Sequence, residues 1–312
     1  MAADAPSEMI DYDEFALFVE NIAEFDLDAD IPPVERIDVA MPHDLGRHVS
    51  ALKWGTRPAE AVLVHGGAQN AHTWDTVALA LGRPVLAIDL PGHGHSHWRD
   101  DHAYTPQNLA DDIAVVVADL APDATLVVGM SLGGLTSMEL AVRHPALVER
   151  LVMVDITPGV NQQKAKAVID FVDGPQEFAS FDDLLARTIE FNPTRSESSL
   201  RRGILHNAAQ RPDGSWQWRY DRTGHTRPKD DEQAGVVAAT SDASPLWDDF
   251  DAVTAPLTIV RGSTSPVVDD EDIAEARRRQ PDVDVIVVEG AGHSVQGDRP
   301  VELAAILAGL LA

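Results

Sequence analysis

A serine stands between two glycines in the segment Gly129-Met130-Ser131-Leu132-Gly133. The segment directly follows the apolar run ATLVVGM, which is typical of a strand, and directly precedes a stretch with helical spacing. A G-x-S-x-G nucleophile turn needs this context, because the flanking glycines let strand and helix approach closely around a strained serine. The N-terminus of the helix would also stabilise negative charge nearby. The pattern therefore predicts nucleophilic catalysis by Ser131.

A glycine turn earlier in the chain could supply a second element of such a site. The strand-like run AVLV leads into His65-Gly66-Gly67-Ala68. A turn of this kind can aim a backbone N–H group at a carbonyl oxygen, as acyl transfer requires. We therefore expect the N–H groups of Gly67 and Leu132 to form an oxyanion hole.

A histidine follows the last strand-like run, in the segment Gly290-Ala291-Gly292-His293-Ser294. A glycine-rich loop at the carboxyl end of a strand can bring a histidine to a serine at the same edge of the sheet. Ligand sites in open α/β sheets gather at that edge. The position of His293 thus predicts a catalytic partner for Ser131.

These residues require a scaffold of alternating strands and helices. Short apolar runs predict strands over residues 36–41, 48–54, 61–64, 84–90, 124–130, 149–155, 256–262 and 283–290. Helical spacing occurs near residues 73–81, 105–121, 132–143, 269–280 and 298–311. Strands that alternate with helices indicate βαβ units, so we predict an α/β fold with a doubly wound, mostly parallel sheet.

Two segments interrupt this alternation. Residues 1–35 contain no Lys or Arg, and their apolar residues recur at roughly helical spacing, which predicts a docked amphipathic helix. Residues 158–242 are polar and have few strand-like runs, which favours a helical insertion. The predicted division is an acidic N-terminal extension over 1–35, a core over 36–157 and 243–312, and a helical insertion over 158–242.

The motifs HGGAQNAHTWD, DLPGHGHS, GMSLGG, VDITP and GAGHSVQGDRP occur in this order at the ends of the predicted strands. In these motifs the chain resembles the α/β-hydrolase superfamily, and within it the capped esterase/lactonase-like branch. The resemblance implies that Ser131 is the nucleophile, that His293 is the general base and acid, and that residues 158–242 form a cap. It implies no cofactor and no metal. The stretch GSWQWRYD resembles part of related caps, so Trp216 and Trp218 are expected to contact substrate.

The chain departs from this family at the acid of the triad. Relatives usually carry an Asp a few residues after the glycine of the seventh strand, where this chain reads Gly262-Ser263-Thr264-Ser265. Some relatives place the acid at the end of strand six instead, and Asp155 stands there. Such a carboxylate would hold the histidine in the required tautomer. We expect Asp155 to be the acid, with Asp269 or Asp270, or no acid at all, as the alternatives.

The run His93-Gly94-His95-Ser96-His97 raises the question of a metal site, because alternate residues of a strand point to one side. The run coincides with the DLPGHGHS loop and lacks a metal-site continuation. We therefore expect it to shape a turn.

Composition narrows the possible partners. The 312 residues carry 24 Lys and Arg against 51 Asp and Glu, a formal net charge of −27. Nucleic acid and anionic membranes are disfavoured, because both attract basic proteins. The chain has no cysteine, which excludes disulfides and thiolate chemistry. No basic and apolar leader and no apolar run of membrane-spanning length are present, which predicts a soluble, cytoplasmic protein.

The expected activity is cofactor-free hydrolysis of a small carboxylic ester, or a lactone, through an acyl-Ser131 intermediate. Two alternatives stay open at this stage. One is hydrolysis of a carbon–carbon bond, since one fold hosts several reactions. The other is a non-catalytic protein that keeps the ligand pocket.

Overall fold

An eight-stranded sheet forms the centre of the molecule. The computed structural model describes residue 10 and residues 12–44, 46–161, 163–193, 195–222 and 245–312. The strands of the sheet are β1 (Val34–Ala40), β2 (His48–Trp54), β3 (Ala61–Val64), β4 (Val85–Ile88), β5 (Leu126–Met130), β6 (Leu151–Val154), β10 (Leu257–Gly262) and β11 (Asp284–Val288). Their order is β1-β2-β4-β3-β5-β6-β10-β11. The β1–β2 and β2–β4 pairs are antiparallel, and the pairs from β4 to β11 are parallel.

The central strands are continuous apolar runs because both of their faces are covered. All four residues of β3, all five of β5 and all four of β6 are buried. Parallel strands covered by helices on both faces lose the alternation of polar and apolar residues that a half-exposed strand shows. This burial explains why the strands could be recognised in the sequence.

Helices cover the two faces of the sheet in two groups. The helices are α1 (Phe18–Phe25), α2 (Asp75–Leu81), α3 (Pro106–Leu120), α4 (Leu132–Arg143), α5 (Lys166–Val172), α6 (Phe181–Phe191), α7 (Glu197–Asn207), α8 (Leu246–Ala252), α9 (Asp270–Arg279), α10 (Val295–Asp298) and α11 (Pro300–Leu310). One apolar core contains buried residues of α3, α4, α8 and α9, and a second contains those of α1, α2 and α11. The predicted doubly wound α/β fold is confirmed.

The segment that follows β6 has an apolar cluster of its own. It contains α5, α6 and α7 and also a small antiparallel sheet, in the order β7-β9-β8, formed by β7 (Glu177–Phe178), β8 (Ala208–Gln210) and β9 (Trp216–Trp218). The segment predicted as a helical insertion thus contains three helices and, in addition, these three short strands. A strand of two or three residues is too short to produce a periodic pattern, although Pro212-Asp213-Gly214 between β8 and β9 is a turn signal. Residues 223–242 of the predicted insertion lie outside the described residues.

The acidic N-terminal segment packs against the core through α1. Phe18 is 1% exposed, and its ring centroid lies 4.7 Å from that of Trp54. The Asn21 side-chain amide donates to Thr76 Oγ1 over 2.8 Å. These contacts confirm the predicted docked helix, while residues 1–9 and 11 lie outside the described residues.

Candidate active site

Ser131 occupies the sharp turn between β5 and α4. Its backbone has φ 52° and ψ −120°, a strained conformation for a residue with a side chain. A Cβ atom on Gly129 would collide with the backbone of Gly133, and one on Gly133 would collide with the carbonyl groups of Val64 and His65. Both glycines of the G-x-S-x-G pattern are thus required by the close approach of α4 to the strands.

A chain of hydrogen bonds joins Ser131 to His293 and Asp155. His293 Nε2 lies 3.1 Å from Ser131 Oγ, and His293 Nδ1 lies 2.8 Å from Asp155 Oδ2. The His293 side chain is 15% exposed and that of Asp155 is 0% exposed. The carboxylate accepts a hydrogen bond from Nδ1–H, which leaves Nε2 as the acceptor that faces the serine hydroxyl.

The buried Asp155 carboxylate has further donors at the end of β10. Gly262 N–H donates to Oδ1 over 2.9 Å, and the Ser265 hydroxyl donates to Oδ2. A buried carboxylate needs such partners, because removal from water otherwise disfavours the charge. Ser265 stands in the stretch where relatives usually carry the acid. Sequence reasoning missed its role, although its position in that stretch was the available signal.

The two alternative acids, Asp269 and Asp270, have partners other than His293. Asp269 caps the N-terminus of α9 by accepting hydrogen bonds from Glu271 N and Asp272 N, and it pairs with Lys164 Nζ at 2.8 Å. The Asp270 side chain is 95% exposed and pairs with Arg261. Of the described carboxylates, Asp155 is the one in contact with the ring of His293.

The expected oxyanion donors lie beside the serine. A Cβ atom on Gly67 would be 3.8 Å from Leu132 Cδ2, so the two residues are close neighbours. Leu132 is the first residue of α4, where a helical N–H group has no partner in its own helix. No described group accepts a hydrogen bond from either N–H group. Both donors are thus available.

His65 fixes the loop that carries Gly67. Leu90 N–H donates to His65 Nε2 over 2.9 Å, so the ring proton resides on Nδ1, which donates to Gly66 O over 2.7 Å. Burial lowers the pKa of His65, which favours this neutral form. A Cβ atom on Gly66 would be 3.2 Å from Ser131 Cβ. The loop therefore passes close to the serine only because Gly66 has no side chain.

A cavity borders this constellation. Its wall includes Gln69 and Ser294, which lie next to the oxyanion loop and next to His293, but among described residues it does not include Ser131 or His293 themselves. Trp218 is also part of the wall, together with Phe171. Trp216 is not, because its ring packs edge-on against Phe181, with the centroids 5.1 Å apart. Of the two tryptophans expected to contact substrate, Trp218 is thus the one that reaches the cavity.

Three residues in the wall of this cavity have the types and spacing of metal ligands. His72, Asp75 and His206 are buried, and one ligand atom of each lies within 4.8 Å of the others. Both ring nitrogens of His72 already contact carboxylates, Asp75 at 2.9 Å and Glu14 at 3.1 Å. Burial alone would lower the pKa of His72, but these carboxylates raise it to about 9. In this structure the contacts of the three residues are those of an ion-pair network. The histidines of residues 93–97 are not in this cluster.

The comparisons with known proteins define the class. The sequence model of the alpha/beta hydrolase family matches residues 61–306. The chain therefore belongs to the alpha/beta hydrolase family.

Individual proteins of known activity are also similar to the chain. The chain is 43% identical over 311 residues to esterase Rv0045c of Mycobacterium tuberculosis, covering 97% of each chain. A crystal structure of that esterase superposes with a TM-score of 0.81 and covers 97% of this chain and 99% of the other. The chain is also 29% identical to 2-(acetamidomethylene)succinate hydrolase of Mesorhizobium japonicum, over 84% of this chain and 94% of that one. None of the helices in the described part of the chain has the length and apolar character needed to cross a membrane.

Proposed function

We propose that this protein hydrolyses a small carboxylic ester, or a lactone, through an acyl-Ser131 intermediate. The observation that carries the proposal is the hydrogen-bonded chain from Ser131 through His293 to Asp155. The similarity to a protein named as an esterase, over nearly the whole of both chains, supports the same reaction class.

Each residue has a role that its geometry allows. Ser131 Oγ attacks the ester carbonyl carbon while His293 Nε2 takes the hydroxyl proton. Asp155 accepts the Nδ1 hydrogen bond and stabilises the imidazolium that forms. The N–H groups of Gly67 and Leu132 receive the negative charge on the carbonyl oxygen, and one such donor typically contributes about 3 kcal/mol.

The second half of the reaction reuses the same groups. The His293 imidazolium gives its proton to the leaving alkoxide, so the alcohol departs and the acyl-serine remains. A water molecule then attacks the acyl carbon while His293 takes its proton, and return of that proton to Ser131 Oγ releases the acid. No cofactor is needed for these steps. The complete hydrogen-bonded chain favours this reaction over the non-catalytic alternative.

Substitution of the nucleophile tests the proposal. Ser131→Ala should reduce turnover of a 4-nitrophenyl ester to the background rate and abolish labelling by a fluorophosphonate probe. Ser137→Ala is the matched control, because Ser137 is buried on the same helix and its hydroxyl has no described partner. Equal turnover by wild type and Ser131→Ala would overturn the proposal.

The cytoplasmic location expected from the sequence stays a prediction, which cell fractionation would test.

A further inference from the structure

A partly buried arginine faces the cavity beside the triad without a carboxylate partner. Arg195 precedes α7 and contributes to the cavity wall together with Ser199 and Gly297. Its Nη2 donates to Ser199 Oγ over 2.6 Å. Its Nε is shut off from solvent and has no hydrogen-bond partner. Among the described residues, no carboxylate lies within ion-pair distance of this guanidinium.

The guanidinium lies against the turn that follows His293. A Cβ atom on Gly297 would be 3.0 Å from both Cζ and Nη1 of Arg195. Gly297 lies in α10, and its N–H donates to the carbonyl of Ser294, the residue after His293. The absence of a side chain at Gly297 therefore allows the positive charge to approach the segment that positions His293.

The nearest acidic groups have other partners. Glu24 is engaged by Arg202 and by the Ser196 hydroxyl. Asp298 Oδ2 accepts a hydrogen bond from Gly292 N–H over 2.8 Å. Burial lowers the pKa of Arg195, with Asp298 and Glu24 acting in the opposite direction, yet a guanidinium stays protonated in proteins. A cation removed from water without a carboxylate at ion-pair distance is costly, and an anionic ligand would offset that cost.

We propose that Arg195 binds a carboxylate that the substrate carries at a distance from its ester group. This inference rests on the proposed ester hydrolysis and specifies its substrate class as esters with a remote acid. A carboxylate would accept N–H donors of Nη1 and Nη2 that Ser199 does not use, because the guanidinium is a planar group suited to two-point recognition of carboxylates. The acid could belong to the acyl group or to the alcohol, because the cavity borders the serine at Gln69 and the histidine at Ser294.

Two pairs of substrates separate these sources. For the acyl side, kcat/KM would be compared for the 4-nitrophenyl monoester of adipic acid and for 4-nitrophenyl 6-methylheptanoate, in which an uncharged isopropyl group replaces the carboxylate. For the alcohol side, 5-acetoxypentanoate would be compared with 5-acetoxypentanamide. In one of the two pairs, kcat/KM of the charged substrate should exceed that of the uncharged one. The ratio of these two kcat/KM values should fall about ten- to hundredfold in Arg195→Gln, the range for a charge-assisted hydrogen bond. Arg195→Lys should recover part of the ratio.

Arg201→Gln is the matched control. Arg201 lies on α7, and its side chain is 47% exposed and outside the cavity wall, so both ratios should stay at the wild-type value. An unchanged ratio for Arg195→Gln in both arms would overturn the inference. Such a result, with Ser131-dependent turnover of the uncharged esters, would leave the proposed function intact.

A binding measurement does not depend on turnover. Adipate should raise the Tm of the wild type and of Ser131→Ala more than adipamide does, and this difference should disappear in Arg195→Gln. A difference that persists in Arg195→Gln would place carboxylate binding elsewhere and overturn the inference. Failure of the proposed function would appear separately, as the absence of Ser131-dependent hydrolysis.

Discussion

Asp155 combines three features that a histidine-orienting acid needs. It is buried, it accepts hydrogen bonds from Gly262 N–H and the Ser265 hydroxyl, and it contacts His293 Nδ1. The sequence favoured Asp155 because some relatives place the acid at the end of strand six, and Asp269 or Asp270, which also stand between Ser131 and His293 in the chain, stayed open as alternatives. The choice between them depends on which carboxylate the fold brings to His293. Asp155 follows β6, which pairs with β10, and its carboxylate contacts both Gly262 at the end of β10 and the ring of His293.

Removal of the Asp155 charge should separate these candidates. Asp155→Asn should lower kcat by about 10³- to 10⁴-fold, because the amide favours the wrong tautomer of His293 and does not stabilise its charged form. The matched control is the double variant Asp269→Asn/Asp270→Asn, which should keep kcat within about threefold, since both side chains lie in contacts of α9 and β10. Ester turnover across pH would measure both effects. Loss of activity in the double variant alone would contradict the assignment of Asp155.

A second variant tests whether position 265 can carry the acid. The Ser265 hydroxyl donates a hydrogen bond to Asp155 Oδ2, the same oxygen that accepts the hydrogen bond from His293 Nδ1. We therefore expect Asp155→Asn/Ser265→Asp to recover at least about tenfold of the kcat/KM lost in Asp155→Asn, because the new carboxylate lies within reach of His293. Asp155→Asn/Ser263→Asp is the control and should recover nothing. Equal kcat/KM in the two double variants would refute this prediction.

At the scale of elements, the contact of α4 with α8 contains a pair of acidic side chains. Glu139 is 2% exposed and accepts a hydrogen bond from Gln107 Nε2 over 2.7 Å. Burial, together with the neighbouring Asp249, raises the pKa of Glu139 to about 8. The helix contact therefore contains a carboxyl group that stays protonated well above its ordinary range.

This pair predicts a loss of stability as pH rises through the neutral range. Because the folded protein holds a proton that the unfolded chain releases near pH 4.5, the free energy of unfolding should fall as pH rises from about 4.5 to about 8. The slope is at most about 1.4 kcal/mol per pH unit. Glu139→Gln should flatten the slope in urea unfolding at pH 5.5, 7 and 8.5. The control Glu149→Gln, at an exposed position after α4, should leave the slope unchanged. An equal slope in wild type and Glu139→Gln would contradict the prediction.

The elements differ in how well the sequence predicts them. Strands β3, β5 and β6 were recognisable because burial on both faces makes them uninterrupted apolar runs, and the positions of Ser131 and His293 follow from local motifs at strand ends. Strands β7, β8 and β9 have two or three residues each, stabilised by pairing with one another rather than by a local pattern. Arg195 could not be identified, since its role depends on residues distant in sequence, and the role of Ser265 was missed although its position after β10 was an available signal.

For the molecule as a whole, the acidic N-terminal segment is more than a solvated surface. Glu14 pairs with Arg36 at 2.7 Å, and Arg36 pairs with the fully buried Asp89 at 2.8 Å. Glu24 pairs with Arg202 of α7. Part of the negative charge thus joins the N-terminal segment to the core and to the segment that carries the cavity.

These ion pairs predict acid sensitivity. Burial opposes the charge of Glu14, but hydrogen bonds from His72 and Arg36 lower its pKa to about 2. The contribution of Glu14 to stability is therefore complete above about pH 4.5 and disappears as pH falls towards 2. Glu14→Gln should cost about 1–3 kcal/mol of unfolding free energy at pH 7 and little near pH 2. Calorimetry across this pH range would measure the loss of unfolding free energy, with Asp30→Asn at an exposed position as the control. A loss for Glu14→Gln that does not depend on pH would contradict the prediction.

The strained backbone at the active site has a consequence for the history and the engineering of this chain. Ser131 and Asp155 both have positive φ angles, 52° and 51°, and glycine would relax both positions. Ser131 and Asp155, two members of the proposed triad, are therefore positions at which mutation can relieve backbone strain. Selection for thermal stability alone would favour a more stable but inactive protein. Only selection for turnover therefore maintains these two side chains.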